Sequence, residues 1–177
     1  MKRIKINEEA YRLQPCTLAS IDNLLSIQAE AFKHLDYKET LRKNSKEMLE
    51  SCLQPPHHTI GVFYRQKMIA FGILYIGGNS DENLAKNIGI EPSMIQKTAN
   101  IKLIIVRPQY RGNRLQCVLI EAIEAYAIKQ GFKQLACTIA PGNSHSIINF
   151  EKKGYRYYDT IETYGGLKRN RYLKKLP

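Results

Sequence analysis

The chain has 177 residues, with 27 Lys and Arg against 16 Asp and Glu for a net charge of +11, 44% hydrophobic residues and no Trp. This length buries enough surface for one core without metal or disulfide staples, and the ordinary apolar and charged content excludes wholesale disorder, collagen-like repeats and coiled coil. No apolar run reaches the ~18 residues that a membrane-crossing helix needs, and the basic start, Met1 to Glu9, lacks the apolar stretch of a secretion signal. The expectation is a single domain over 1–177, cytoplasmic, without a membrane partner, as a monomer or homodimer.

Tyr11 to Cys16 reads as a short strand, and Thr17 can cap a helix on which Ile21, Leu24, Leu25, Ala31 and Phe32 follow helical spacing. Asn44 and Glu47 have capping-box spacing and predict a second helix to about Leu53, stopped by Pro55-Pro56. Thr59 to Tyr64 and Met68 to Ile76 alternate like strands and are joined by Arg65-Gln66-Lys67 as a hairpin. Asn79 to Lys97 is loop-like, with a turn of helix near Leu84 and Pro92 as a breaker. Thr98 to Val106 carries a nearly continuous apolar run, the mark of a strand buried on both faces. After Pro108, Leu115, Val118, Leu119, Ala122, Ala125 and Tyr126 mark one face of a long helix that stops at Gly131. Leu135 to Ala140 is the next strand, and Asn143 or Ser144 caps a helix ending at Gly154. Tyr155 to Ile161 and Leu167 to Leu176 form a closing hairpin around Tyr164-Gly165-Gly166. The fold class is α/β, a mixed central sheet of about six or seven strands flanked by helices.

Cys16, Cys52, Cys117 and Cys137 contain no Cys-x-x-Cys pair and read as buried free thiols. His57 and His58 would face opposite sides of an extended chain, so no metal site is expected. The positive charge favours an anionic partner. From Pro92 to Ile120 there is no acidic residue, while Lys97, Lys102, Arg107, Arg111 and Arg114 fall there, and Lys168, Arg169, Arg171, Lys174 and Lys175 close the chain.

Between the buried strand and the long helix lies Val106-Arg107-Pro108-Gln109-Tyr110-Arg111-Gly112-Asn113-Arg114-Leu115-Gln116. The first N–H groups of a helix have no intrahelical acceptor and the helix dipole adds positive potential, so a diphosphate can dock there. Gly112 lets the backbone come close, and Arg111 and Arg114 add full charges. Walker and dinucleotide glycine patterns are absent from the sequence.

Val106-x-Pro108-x-Tyr110-Arg111-Gly112-Asn113-x-Leu115 resembles the acetyl-CoA-binding motif of the GNAT superfamily of N-acyltransferases. Asn143 on a helix that closes with Lys152-Lys153-Gly154-Tyr155 occurs in that family's order, and the similarity runs from about Leu13 to Lys174. The resemblance implies a GNAT-like fold and acetyl-CoA as co-substrate. Backbone groups of Ile104, Ile105 and Val106 would hold the pantetheine arm, Arg111, Gly112, Asn113, Arg114, Leu115 and Gln116 would wrap the pyrophosphate, and Asn143 and Phe150 would line the cofactor. The implied reaction is direct attack by a primary amine of a small molecule or peptide in a ternary complex, with a tetrahedral intermediate held by an N–H near Ile105.

Four positions depart from the family. Arg114 and Gln116 stand where relatives have small residues, Phe150 replaces a proton-donating tyrosine, and Lys102 stands about where a glutamate base would be. Ser146, on one helix face with Asn143 and Phe150, is the substitute acid; Glu30, Asp36 and His34 are candidate bases; Tyr164, in the glycine-rich turn, is expected to contact the acceptor. The alternative is a catalytically degenerate CoA-binding module or a basic nucleic-acid-binding module. Arg169-Asn170-Arg171-Tyr172 is the weak candidate for the latter, and nucleic acid is not the expected partner; the closing basic strand is expected to be a solvated or cofactor-facing surface.

Overall fold

The structure is a computed structural model and describes residues 3–7, 10–35, 38–86 and 88–177. Its strands are β1 (Tyr11–Pro15), β2 (His58–Tyr64), β3 (Lys67–Tyr75), β4 (Thr98–Val106), β5 (Gln134–Ile139), β6 (Arg156–Thr163) and β7 (Leu167–Lys175). The helices are α1 (Ile21–Lys33), α2 (Lys46–Cys52), the single turn α3 (Pro92–Ile95), α4 (Leu115–Lys129) and α5 (Ser144–Lys152). All seven strands form one sheet in the order β1-β2-β3-β4-β5-β7-β6. Each neighbouring pair is antiparallel except β4 and β5, which are parallel because α4 carries the chain back between them.

The sheet is covered on both faces. Leu24, Ile27 and Ala31 of α1 and Leu49 and Cys52 of α2 pack on Phe71, Ile73, Leu103 and Ile105. On the opposite face Leu119, Ile120 and Ile123 of α4 and Phe150 of α5 pack on Ala70, Leu74, Leu135 and Cys137. Alternation along β3 and β4 divides their side chains between these two cores, which is why both strands read as continuous apolar runs.

Local chemistry explains where elements begin. The hairpin turn needs only Arg65 and Gln66, at φ 47° and 64°, a pair of positive φ values that matches the strand twist; Lys67 already belongs to β3. The N-cap of α2 is Ser45, whose Oγ accepts from Met48 N at 3.2 Å, so the expected Asn44–Glu47 capping box is displaced by one residue. Asn44 is buried instead, joined to Gln28 of α1 by reciprocal bonds of 2.9 Å between its main chain and the Gln28 amide. Near Leu84 the described residues form a turn, closed by Lys86 N donating to Asn83 O at 3.0 Å, and no helix. Asn83 Nδ2 donates to Gly78 O at 2.7 Å and Ile95 O at 3.0 Å, and Asn100 of β4 binds both Leu84 N and Glu82 O, so side-chain amides do there what helical bonds would have done. Pro92 opens α3 at its first turn, where a missing N–H costs nothing, and is not a breaker.

Candidate active site

β4 and β5 pair only from Thr98↔Gln134 to Ile101↔Cys137 and then diverge. Beyond that point a cleft of about 110 Å³ opens between them, lined on the α4 and α5 side by Gln116, Asn143, Ser146 and Phe150 and on the other by Arg42, Lys102, Tyr164 and Arg169. The backbone of β4 has a defined polarity there. Arg107 N donates to Ile69 O at 2.8 Å, and Ile105 is opposite Phe71 in the same register, so the main-chain groups of Ile105 are spent on β3. Those of Ile104 and Val106 therefore point to the β5 side, where no strand follows. This corrects the expectation for Ile105, whose side chain is also in the α1/α2 core.

The loop before α4 has Gly112 at φ 87° and Arg114 at φ 57°. Both are left-handed, so the backbone keeps the form that two glycines would favour although Arg114 costs about 1 kcal/mol there. A Cβ on Gly112 would meet nothing nearer than Arg3 Nη1 at 3.8 Å, which leaves its outer side open. Val118 N to Arg114 O is the bond that starts the helix ladder, so the amides of Leu115, Gln116 and Cys117 are directed out of its start. The Leu115 side chain is core. The Asn113 side chain is committed within the protein: its Oδ1 accepts from Ile6 N at 3.1 Å and its Nδ2 donates to Ile4 O and Tyr110 O, fastening the segment 4–6 to the loop. Asn113 was expected among the residues around the pyrophosphate, and this tie leaves its main chain alone for that role.

Across the cleft, Asn143 caps α5 by accepting from Ser146 N at 3.2 Å. Ser146 is 9% exposed, and Gln116 Nε2 donates to its Oγ at 2.8 Å while Gln116 Oε1 accepts from Asn149 Nδ2 at 2.7 Å. With its oxygen engaged as an acceptor, the Ser146 hydroxyl has its own proton to donate into the cleft. Gln116, which stands where relatives have a small residue, thus orients Ser146. Phe150 is buried edge-on against Tyr155, ring centroids 4.9 Å apart. Cys137 is the cleft's thiol, and burial pushes its pKa up, which keeps it protonated.

The candidate bases are placed differently from expectation. Glu30 is ion-paired with the 3%-exposed Arg107, whose Nε donates to Met68 O, so its carboxylate neutralises a buried charge and does not line the cleft. His34 ends α1, with its ring bound to Glu30 O; Asp36 lies outside the described residues. The carboxylate that sequence reasoning missed is Glu82, delivered to Lys102 Nζ at 2.6 Å, and held below its ordinary pKa by that hydrogen bond. Lys102 Nζ also lies 3.9 Å from the centre of the Tyr75 ring. Tyr164 reaches the cleft from the β6–β7 turn, its hydroxyl 3.5 Å from Thr138 Oγ1 and its ring under Arg42.

The closing basic strand, expected to be a solvated or cofactor-facing surface, is divided: Lys168 and Lys175 are exposed, while Arg169 lines the cleft. Arg169 and Arg171 are 5% and 6% exposed and Tyr172 is 3% exposed, so the weak nucleic-acid candidate is turned inward. His57 stacks on Tyr75 and His58 on Tyr126, on opposite sides of the sheet. Among the described residues no group of three His, Cys, Asp or Glu side chains is placed to hold a metal, and no helix is long and apolar enough to cross a membrane.

The profile of the Acetyltransferase (GNAT) family matches residues 20–155. The chain belongs to the GNAT acetyltransferase family. Among solved structures, an N-acetyltransferase from Staphylococcus aureus Mu50 is 15% identical with a TM-score of 0.72, covering 94% of this chain and 99% of its own. The ribosomal-protein-S18-alanine N-acetyltransferase from Escherichia coli is also 15% identical, with a TM-score of 0.72 and 94% of both chains covered. PaiA N-acetyltransferase from Thermoplasma acidophilum, in complex with coenzyme A, is 17% identical at a TM-score of 0.69, with 93% and 98% covered. No curated protein matches the sequence. The mixed seven-stranded sheet with helices on both faces is the fold of this family of acyltransferases.

The ion pair makes Glu30 a structural residue. Glu30→Gln is expected to destabilise the protein by about 1–2 kcal/mol, less than a fully buried pair would give because the Glu30 side chain is 37% exposed. Urea unfolding measures this; unchanged stability together with a large loss of transfer rate would return Glu30 to the list of bases.

Proposed function

We propose that this acyltransferase moves an acetyl group from acetyl-CoA to a primary amine by direct attack in a ternary complex. The observation that carries this reading is the divergence of β4 and β5 beside an open helix start, which leaves backbone donors at both ends of one cleft. The residues fit the cofactor: Arg111, Gly112, Arg114 and the amides of Leu115, Gln116 and Cys117 would hold its pyrophosphate, and the main chain of Ile104 and Val106 would pair with the pantetheine arm. Acetyl-CoA, when bound, supplies a thioester carbonyl and a thiolate leaving group.

The chain's own residues then have distinct tasks. An N–H of Ile104 or Val106 donates to the carbonyl oxygen as negative charge develops there. The ionised carboxylate of Glu82 beside Lys102 takes the proton of the attacking amine, through water. Ser146, held by Gln116, donates its hydrogen bond to the departing sulfur in place of the tyrosine that Phe150 replaces. Transfer through an acyl-cysteine is disfavoured, because Cys137 stays protonated and a thiol is a far weaker nucleophile than a thiolate.

Acetyl-CoA is expected to bind, give heat in calorimetry and raise the melting temperature by mass action. Gly112→Val places a branched residue at φ 87° and crowds the phosphate approach, so it should weaken this binding at least ~10-fold. Equal affinity in the variant would remove the loop from the cofactor site.

For the chemical step, Ser146→Ala should lower kcat about 10- to 100-fold at unchanged cofactor affinity, and Phe150→Tyr should partly restore it by placing a hydroxyl on the same cleft wall. Glu82→Gln should lower kcat/KM without loss of melting temperature. A neutral Ser146→Ala would assign that residue to packing, and a neutral Glu82→Gln would leave the amine to lose its proton directly to solvent.

A further inference from the structure

Two arginines on β7 occupy the same sheet face two residues apart and are treated differently by the fold. Arg171 is paired in bidentate fashion with Asp159, Nε to Oδ1 at 2.8 Å and Nη2 to Oδ2 at 2.5 Å. Arg169 is equally buried, yet its recorded bonds go to two main-chain carbonyls, Lys168 O at 2.8 Å and Glu39 O at 2.6 Å, and among the described residues no carboxylate forms an ion pair with it. Burial accordingly pushes its pKa down, with only partial compensation from Tyr164 and Glu39. A carbonyl orients a guanidinium but does not neutralise it, and a buried unneutralised charge is costly. Two of the five N–H donors of Arg169 are so used, and the residue lines the cleft.

Arg42 is beside it in the same cleft wall, exposed, its Cζ 4.3 Å from the centre of the Tyr164 ring. Stacking on a ring fixes a guanidinium plane while leaving its edge donors available. Lys102 is the third cation lining the cleft, and its charge is met by Glu82, which also feels Arg42. No Asp or Glu lines the cleft among the described residues, so the lining carries three positive charges, with Glu82 paired to Lys102 and Glu39 near Arg169 as neighbouring carboxylates outside it. This excess is on the acceptor side. Arg169 reaches Glu39, in the segment between α1 and α2, whereas the open helix start belongs to α4 on the other face of the sheet, so the cofactor's diphosphate does not supply the missing anion.

We infer that the acceptor is an amine that also carries an anionic group, a carboxylate or a phosphate, which docks between Arg169 and Arg42 beside Tyr164. The inference rests on the acetyl-transfer reading and adds the substrate class. In the reaction the N–C bond forms, the C–S bond breaks, the amine gives up its proton and the thiolate gains one. The product is an N-acetylated acid one unit more negative than the ammonium form of the substrate. Fixing the anionic end positions the amine, and amines that lack an acid, polyamines above all, meet a repulsive wall.

The test is initial-rate kinetics with saturating acetyl-CoA and matched acceptors: L-amino acids against their carboxamides, ethanolamine phosphate against ethanolamine, and spermidine. The expected result is a kcat/KM at least ~10-fold higher for the anionic member of one or more pairs, with the two kinds of pair telling carboxylate from phosphate. Arg169→Gln and Arg42→Gln should each raise KM for that acceptor about 10- to 100-fold, change kcat less, leave the neutral member of the pair alike, and leave acetyl-CoA affinity by calorimetry as in the parent. Arg42 is exposed, so its variant remains informative if Arg169→Gln unfolds. Preference for carboxamides or spermidine, equal losses for both members of a pair, or intact acetyl-CoA binding with no anionic amine acetylated would overturn the inference. Failure of acetyl-CoA to bind at all would instead remove the transferase reading beneath it.

Discussion

In the middle of a sheet a strand's amides and carbonyls normally find partners on both sides, and β4 is denied this on one side beyond Ile101. Leaving such groups buried and unpaired is expensive, so a mid-sheet gap persists only if something else occupies it. The antiparallel partner β3 stays paired with β4 as far as Val106, with a register shift that leaves Lys102 unpaired between Ile101 and Leu103, while β5 follows β7 instead. The same departure brings the start of α4 and the start of α5 to one end of the gap and the β6–β7 turn to the other. Cofactor donors and acceptor-side cations therefore meet in one cleft because two strands separate, with no hinge or added domain required.

The arginines illustrate how a single residue type serves three purposes according to what the fold brings beside it. Arg107 is neutralised by Glu30 and locks α1 to the end of β4. Arg171 is neutralised by Asp159 and also donates to Leu84 O at 3.0 Å, tying the long loop after β3 to the sheet. Arg169, in the cleft, has hydrogen bonds only to carbonyls and no ion pair among the described residues. In water these side chains would be equivalent; burial makes the presence or absence of a carboxylate decisive. The net charge of +11 is thus not a surface property only, since part of it is spent inside the molecule.

Much of the fold was legible because it depends on local pattern. The apolar run of Thr98–Val106 gave β4 to the residue, and the periodicity from Leu115 gave α4. The loop between β3 and β4 was not legible, since its shape is set by Asn83 and Asn100 amides and by Arg171 from the far end of the chain. The site divides in the same way. Gly112 and the helix start announce themselves locally, whereas Glu82 reaches Lys102 across 20 positions, Gln116 reaches Ser146 across 30 and Glu30 reaches Arg107 across 77. Nothing in the spacing of these residues marks the pairs. The α2 cap was misplaced by one residue for a related reason: Asn44 and Ser45 are both good caps, and the choice was made by Gln28 on another helix.

The central claim is that the unpaired edge of β4 holds the acetyl donor through the main chain of Ile104 and Val106, with Ile105 committed to β3. Amide hydrogen exchange, followed residue by residue with and without acetyl-CoA, tests it most directly. The account predicts that Ile105 is protected in the free protein and changes little, while Ile104 and Val106 exchange faster and become protected when acetyl-CoA is added. Unchanged exchange at Ile104 and Val106 in a protein saturated with acetyl-CoA would contradict it.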